Sequence, residues 1–292
     1  MASIEEKNAY YGAIRFYDIL DKLNMIIDKS DILGNFDESD FISLLREVIK
    51  LKVSSPEMDQ FPDVGREENL RIVRDLYCDK FDGKYDEHIK IYQYNTIVVD
   101  DISWNKSYFK YGLVGNNIRF RYIMVGDLNH LHSAVLTTHE NMHGLVWLKK
   151  LTREYNYSYN ELLPRFMEKV CLNWLRENDY SDIEPLYNSF LNYYNRKCAE
   201  TYIDSVNLLK EGIDDPVIDG ILKYDRDMSY IYLISSIYSA RLYECYINNP
   251  KEVMSRVDGV IEGNNSITKV LDDLSINLDN NDTIRAFQKT LK

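Results

Sequence analysis

The sequence predicts a mostly helical α+β protein, in which a small antiparallel β-sheet precedes a helix that carries the motif H-E-x-x-H. Hydrophobic residues recur at helical spacing along most of the chain, and the spacing shortens to about two residues only between Ile89 and Gly126. With 292 residues, 45% of them hydrophobic, the chain is expected to fold as one compact unit. We divide this unit into a helical part (1–85), the sheet (86–127) and a helical part with the motif (128–292).

Three helices are expected before the sheet. The first covers residues 5–29, where apolar and aromatic residues recur at helical spacing. The second covers residues 41–51 and follows acidic residues, which suit the positive end of a helix dipole. The third covers residues 67–81. None of the three carries residues that suggest chemistry, so their expected role is to pack against the helix with the motif.

The predicted sheet begins with a strand at residues 89–94, where apolar and polar residues alternate. A second strand lies within residues 95–101. Residues 107–114 and 118–125 then form a hairpin, because a Gly-Asn-Asn turn separates two alternating segments. Polar residues alternate with aromatic ones in the second arm, which predicts that one face of the sheet is exposed to solvent.

A long helix is predicted from Gly126 to Leu151, and it carries His139-Glu140-Asn141-Met142-His143. Residues four apart lie on the same face of a helix, so the two imidazoles can hold one metal ion. Glu140 can reach a water at that metal and act as a general base, as in a zinc peptidase. The helix is apolar on most sides and is therefore expected to be buried. The alternative is a helix that merely carries two histidines on its surface.

Two further histidines, His130 and His132, lie shortly before the motif. His132 lies seven residues before His139, about 10 Å along a helix, which is too far for both to bind one metal ion with His143. We interpret His130 and His132 as residues at the start of the helix. The third metal ligand must therefore come from another part of the chain.

A second helix is predicted to start at Ser158, and a hairpin between the two helices would bring Glu161 or Glu168 towards the histidines. Pro164 is compatible with the first turn of that helix. Glu161 also fits a capping box with Ser158, and both roles can hold because the ligand would lie in the first turn. The alternative for Glu168 is an ordinary exposed carboxylate.

The rest of the chain is predicted to be helical. One helix begins near Pro185 and ends near Leu209, the next begins at 214–216, and another covers residues 227–248. From Pro250 onwards, two or three short helices are separated by glycine and asparagine.

The order of these motifs resembles the gluzincin metallopeptidases. H-E-x-x-H is followed by Asn160-Glu161 and by a second glutamate, Glu168, a pattern similar to that of aminopeptidase N and thermolysin relatives. The run from Glu161 through Pro164 to Glu168 is also similar to that of thimet oligopeptidase and oligopeptidase F relatives. The resemblance covers about residues 128–175.

This resemblance implies a zinc metallopeptidase that hydrolyses peptide bonds of a peptide or protein substrate. One Zn²⁺ per chain would be bound by His139, His143 and Glu161, and Glu140 would activate the water. Glu168 is the alternative third ligand, or else it orients an imidazole. One edge of the sheet would hold the substrate in extended form.

Two tyrosines are candidates for stabilising the charge that develops on the substrate carbonyl oxygen. All five histidines precede residue 144, so a donor from the later helices should be a tyrosine. Tyr232 and Tyr238 lie in a tyrosine-rich segment that is distantly similar to a helix of oligopeptidases. The alternative is that both simply pack at the surface of an amphipathic helix.

Composition narrows the range of partners. The net charge of −12 argues against nucleic acid, whose phosphates require a basic face. The four cysteines are widely spaced without a C-x-x-C pattern, and no signal segment or membrane-spanning run is seen, so we expect a cytoplasmic protein that does not bind membranes. No pattern in the sequence predicts the oligomeric state.

Three alternative functions stay open: a structural metal site, a retired peptidase fold used as a binding module, and a zinc hydrolase of a non-peptide amide.

Overall fold

The protein is described by a computed structural model that covers residues 38–99, 103, 107–114, 117–147, 159, 161–212 and 216–291. The predicted helix at 5–29 lies outside these residues. The described helices are α1 (Glu38–Ile49), α2 (Arg66–Lys80), α3 (Asp86–Tyr94), α4 (His132–Trp147), α5 (Leu162–Glu177), α6 (Glu184–Glu211), α7 (Pro216–Asn248), α8 (Pro250–Ile261), α9 (Ile267–Asp273) and α10 (Asn281–Thr290), with a 3₁₀ turn at Met58–Gln60. The strands are β1 (Thr96–Val98), β2 (Ser107–Val114) and β3 (Asn117–Val125).

The protein is therefore mostly helical, as predicted, but its sheet is mixed and not antiparallel. The strand order is β1-β3-β2, with β2 antiparallel to β3 and β1 parallel to β3, in the register Thr96↔Ile123. Only two residues separate β2 from β3 in the chain, and the two strands pair side by side, which leaves the other edge of β3 to β1. Alternating residues in the three-residue strand β1 predict which face of the sheet each side chain is on. They do not predict the direction of the strand, so the sequence could not predict the parallel pairing.

The predicted first strand at residues 89–94 is wrong, because α3 occupies this segment. Ile89 and Tyr92 are fully buried, whereas Ile91 and Tyr94 are 48% and 90% exposed. Burial at positions three apart is the pattern of a helix, and Asp86 and Glu87 in the first turn suit its positive end. The helical part thus extends beyond residue 85.

The helices after α5 follow the prediction with one exception. Residues predicted to form two helices, from 214–216 and at 227–248, form the single helix α7. Gly220, between the two predicted helix starts, lowers the helix propensity of this segment, but a single glycine does not end a helix. By contrast, α6 ends at Gly212, whose φ of 82° is disfavoured for other residues. Three short helices close the chain, in agreement with the sequence.

Helix α4 lies at the centre of the fold. It packs against α2, α5, β2 and β3, and residues 132–142 are all buried. The helix begins at His132 and not at Gly126. Asp127 holds a turn before it and accepts hydrogen bonds from the backbone N–H groups of Asn129 and His130 and from Ser133 Oγ. This turn joins the end of β3 to the helix that carries the motif.

Around α4, the long helices α6 and α7 pack side by side and contact α5, α1 and α10. The ring of Phe41 in α1 packs edge-on against Tyr202 and Tyr230, with centroid distances of 5.5 and 5.3 Å. None of the helices in the described ranges has both the length and the apolar composition that crossing a bilayer requires.

Candidate metal centre

The two motif histidines lie one turn apart on α4 and face the same point. Their ring centroids are 4.8 Å apart, and the two Nε2 atoms are 3.1 Å apart. Both side chains are largely buried, with exposures of 10% for His139 and 11% for His143. Two buried imidazole nitrogens in contact need a shared proton or a shared metal ion between them.

Glu161 joins this pair from the N-terminus of α5. Its Oε2 lies 3.1 Å from Nε2 of His139, and its Oε1 lies 3.5 Å from Nε2 of His143. Oε2 is buried and accepts no hydrogen bond of normal geometry from the described residues. Glu161 is the N-cap residue of α5, so it does not occupy the N3 position of the capping box predicted with Ser158, a residue outside the described ranges.

These distances fit a single metal ion. His139, His143 and Glu161 each offer one ligand atom, and these three atoms lie within 4.8 Å of one another. Ligand atoms bound about 2.0–2.1 Å from a tetrahedral zinc lie about 3.3 Å from each other. The observed separations of 3.1, 3.1 and 3.5 Å are close to that value. The buried group can therefore hold a metal ion, and its two nitrogens and one carboxylate suit zinc and several other divalent metals.

Glu168 lies on the other side of the His139 ring. Its Oε1 is 2.7 Å from His139 Nδ1, so it contacts the ring nitrogen that does not face the group. Nη1 of Arg165 lies 3.2 Å from both oxygens of Glu168. Both side chains are buried, with exposures of 1% for Glu168 and 7% for Arg165. This is the geometry of a carboxylate that orients an imidazole, and Arg165 holds that carboxylate in turn.

The carboxylates control the charge of this region. Burial by itself lowers the pKa of His139, but the carboxylates of Glu161 and Glu168 beside the ring raise it from 6.5 to about 10. Burial raises the pKa of Glu161, yet the charges of His143 and His139 lower it well below its usual value. For Glu168, burial is likewise outweighed by Arg165 and His139, and its pKa is lowered.

Glu140, the expected general base, is 4% exposed and contacts the sheet. Ser107 Oγ, from the first residue of β2, donates a hydrogen bond of 2.7 Å to Glu140 Oε1. This contact leaves Glu140 Oε2 as the second acceptor of the carboxylate. Strand β2 therefore fixes the orientation of the residue next to the first histidine.

The two candidate tyrosines lie in different environments. The charge of Glu161 is the largest cause that raises the pKa of Tyr232, ahead of burial, so the Tyr232 hydroxyl lies near the metal-binding group. The ring of Tyr238 stacks at 6.5 Å on Tyr159, and the Leu278 backbone N–H donates to its hydroxyl. Both tyrosines belong to α7, but only Tyr232 is electrostatically linked to Glu161.

His130 and His132 lie at the start of α4, as the sequence predicts. His130 Nδ1 is 3.2 Å from Oδ2 of Asp127, the residue that holds the turn before the helix. His132 is 1% exposed and its ring packs 4.8 Å from that of Phe61.

Sequence reasoning missed three residues of this site. Ser107 lies 33 residues before Glu140, and no local pattern joins them. Arg165 had a detectable signal, because opposite charges at positions 165 and 168 share one helix face. Tyr194 of α6 was also missed; its ring packs 5.3 Å from that of Tyr232, and the Arg165 guanidinium lies 5.3 Å from it.

The fold and the site together define a mostly helical protein whose central helix carries a buried His-His-Glu group that can hold a metal ion. Comparison of the chain with protein-family models, with characterised proteins and with solved structures gives no match.

Proposed function

We propose that this protein is a zinc metallopeptidase of the gluzincin type, with the zinc held by His139, His143 and Glu161. The observation that carries the proposal is the spacing of the three ligand atoms, 3.1–3.5 Å apart, directly beside a glutamate in the H-E-x-x-H motif. When bound, zinc would polarise a substrate carbonyl and make a water acidic enough to lose a proton near neutral pH.

Each protein side chain then has a defined task. Glu140 takes the proton from the attacking water and returns it to the leaving amine nitrogen. Ser107 holds one oxygen of Glu140, so the other oxygen is available for that proton. Glu168, held by Arg165, keeps the His139 ring in its binding orientation. Tyr232 donates a hydrogen bond to the carbonyl oxygen as negative charge develops there.

The sheet offers a place for the substrate chain. Strands β1 and β2 form its two edges, and no further strand covers either edge within the described ranges. Because Ser107 of β2 contacts Glu140, β2 is the edge that lies beside the proposed catalytic residues. We assign the outer edge of β2 to an extended peptide that pairs with its backbone.

The test is hydrolysis of a mixed peptide library, followed by mass spectrometry, for wild type and the Glu140→Gln variant. We expect cleavage by wild type in the presence of zinc and a loss of about 1,000-fold in the variant, with metal content unchanged. The control Glu67→Gln removes an exposed carboxylate that is distant in sequence from the motif, and it should leave cleavage unchanged. Equal cleavage by wild type and Glu140→Gln would refute the mechanism.

The burial of the group favours one competing function, a metal ion that joins α4 to α5 without catalysis. Among the three proposed ligands, His139 and Glu161 are more than nine-tenths buried and the His143 side chain is 11% exposed, so little of the group is open to solvent. In that case a chelator should lower the melting temperature sharply, while neither wild type nor any variant cleaves peptides. The library experiment therefore separates the two functions.

A further inference from the structure

A second polar site lies on the far side of α5, in a small cavity between α5, α6, α7 and α10. Arg165 and Lys169 of α5 line it, together with Asn192 and Asn195 of α6 and Ser236 of α7. The volume of the cavity that the centre of a water molecule can reach is ≈ 10 Å³, so the cavity has room for about one water molecule or one monatomic ion. The cavity shares Glu168 with the metal centre, but none of the three proposed metal ligands lines it.

Arg165, which lines this cavity, carries an unsatisfied donor. Its side chain is more than nine-tenths buried, and Nη1 is occupied by the two oxygens of Glu168. Nε is buried and has no hydrogen-bond partner in the part of the chain that the structure describes. A buried N–H of a charged group without a partner is costly, which implies that something in the cavity accepts from it.

Lys169 adds a second positive charge. Burial and the nearby charge of Arg165 lower the pKa of Lys169, although the charges of Glu168 and Glu184 oppose this effect. No carboxylate of the described residues lies within ion-pair distance of its ammonium group, whereas Arg165 is neutralised by Glu168. The lining residues thus carry two cations against one carboxylate, and that carboxylate is also bound to His139.

Neutral polar groups complete the lining, and the Asn192 amide nitrogen already donates to the Thr290 carbonyl. Ser236 Oγ donates to Oδ1 of Asn195, so the Asn195 amide nitrogen is the atom left to donate into the cavity. A site with an excess positive charge, an unpaired guanidinium N–H and a free amide N–H stabilises an anion better than a water. We propose that this cavity binds one small monovalent anion of the halide class, with chloride as the physiological ligand. This proposal does not depend on the peptidase function.

The test compares thermal unfolding of the full chain in sodium chloride and in sodium gluconate at equal ionic strength. The measurement is made after chelation, so that chloride cannot act as a ligand of a metal ion at His139 and His143. We expect a saturable rise in melting temperature of about 2 °C in chloride relative to gluconate. Equal melting temperatures in the two salts would overturn the proposal.

Two variants localise the effect. Lys169→Gln removes one lining charge with little change in length and should lose the chloride-dependent rise. Lys197→Gln removes an exposed lysine of α6 that pairs with Glu200, and it should keep the rise. A rise that persists unchanged in Lys169→Gln would contradict the assignment.

If Lys169→Gln fails to fold, wild-type crystals soaked in sodium bromide decide the question. We expect an anomalous bromide peak between Arg165 and Asn195. Density for a water alone, without an anomalous peak, would refute the anion site.

Discussion

Oε1 of Glu168 lies 2.7 Å from Nδ1 of His139, on the side of the ring opposite to the metal-binding group. The same ring nitrogen cannot bind the metal ion, so the contact leaves Nε2 to face Glu161 and His143. Helix α5 thus supplies both a proposed ligand, at its N-cap, and the carboxylate that contacts the ring of another proposed ligand, two turns later. Arg165, between them in sequence, holds the second carboxylate from the same helix.

This arrangement predicts that Glu168 tunes metal binding without being a ligand. In Glu168→Gln, the orienting carboxylate becomes a neutral amide, and metal affinity should fall about 10–100-fold while one metal ion per chain still binds at saturation. Competition with a chromophoric chelator measures both quantities. Glu177→Gln, at the exposed end of the same helix, is the matched control and should bind like wild type. An unchanged affinity in Glu168→Gln would show that the contact has no orienting role.

The raised pKa of His139 predicts that metal binding releases a proton. Burial lowers this pKa, but Glu161 and Glu168 raise it from 6.5 to about 10, and an imidazolium must lose its proton before it binds a metal ion. We expect about one proton released per metal ion at pH 8, and a loss of about tenfold in affinity for each pH unit below 10. Titration calorimetry in buffers of different ionisation enthalpy measures the proton, and an identical heat in all buffers would contradict it.

The same shift fixes the sign of the pH dependence of stability. Because the folded-state pKa of His139 lies above the unfolded value, its contribution to the metal-free protein is full below pH 6.5 and is lost as the pH rises through about 10. Thermal unfolding of the chelated protein should therefore show a falling melting temperature across this window, and a smaller fall in His139→Gln. The sequence alone would place metal–proton competition near pH 6, the range of an ordinary imidazole.

The two tyrosines of α7 should respond differently to loss of the hydroxyl. Tyr232→Phe removes the donor near Glu161, so kcat for peptide cleavage should fall about 100-fold with metal content unchanged. Tyr238→Phe removes a hydroxyl that accepts from the Leu278 backbone, so it should lower stability by about 1 kcal/mol and leave kcat unchanged. Steady-state kinetics and denaturant unfolding of both variants measure these effects. A larger loss of kcat in Tyr238→Phe would reverse the assignment.

The sequence predicted that His139, His143 and Glu161 would lie together, because the main signal is local. His139 and His143 are placed together by helix geometry alone, and Glu161 follows at the start of the next helix. Ser107 could not be predicted, because it reaches Glu140 from a strand 33 residues away. The register that brings Ser107 to Glu140 depends on how β2 pairs with β3 and how the hairpin packs on α4.

The errors in the fold also have physical causes. In α3, short alternation suggested a strand, but burial of Ile89 and Tyr92 at helical spacing decided the structure. In α7, a proline and two aspartates marked a helix start correctly, while no residue before Asp227 was a strong enough breaker to end it. Hydrophobic spacing predicts the form of a single helix or strand from its own residues. Where the spacing fits more than one form, tertiary packing decides between them.

The most direct test of the metal centre is the metal content of untagged protein that has never met a chelator. We expect one zinc per chain in wild type, its loss in His139→Ala and Glu161→Ala, and its retention in the control Glu67→Ala. Wild-type protein without zinc, or full zinc content in Glu161→Ala, would contradict the His-His-Glu site on which the proposed function depends.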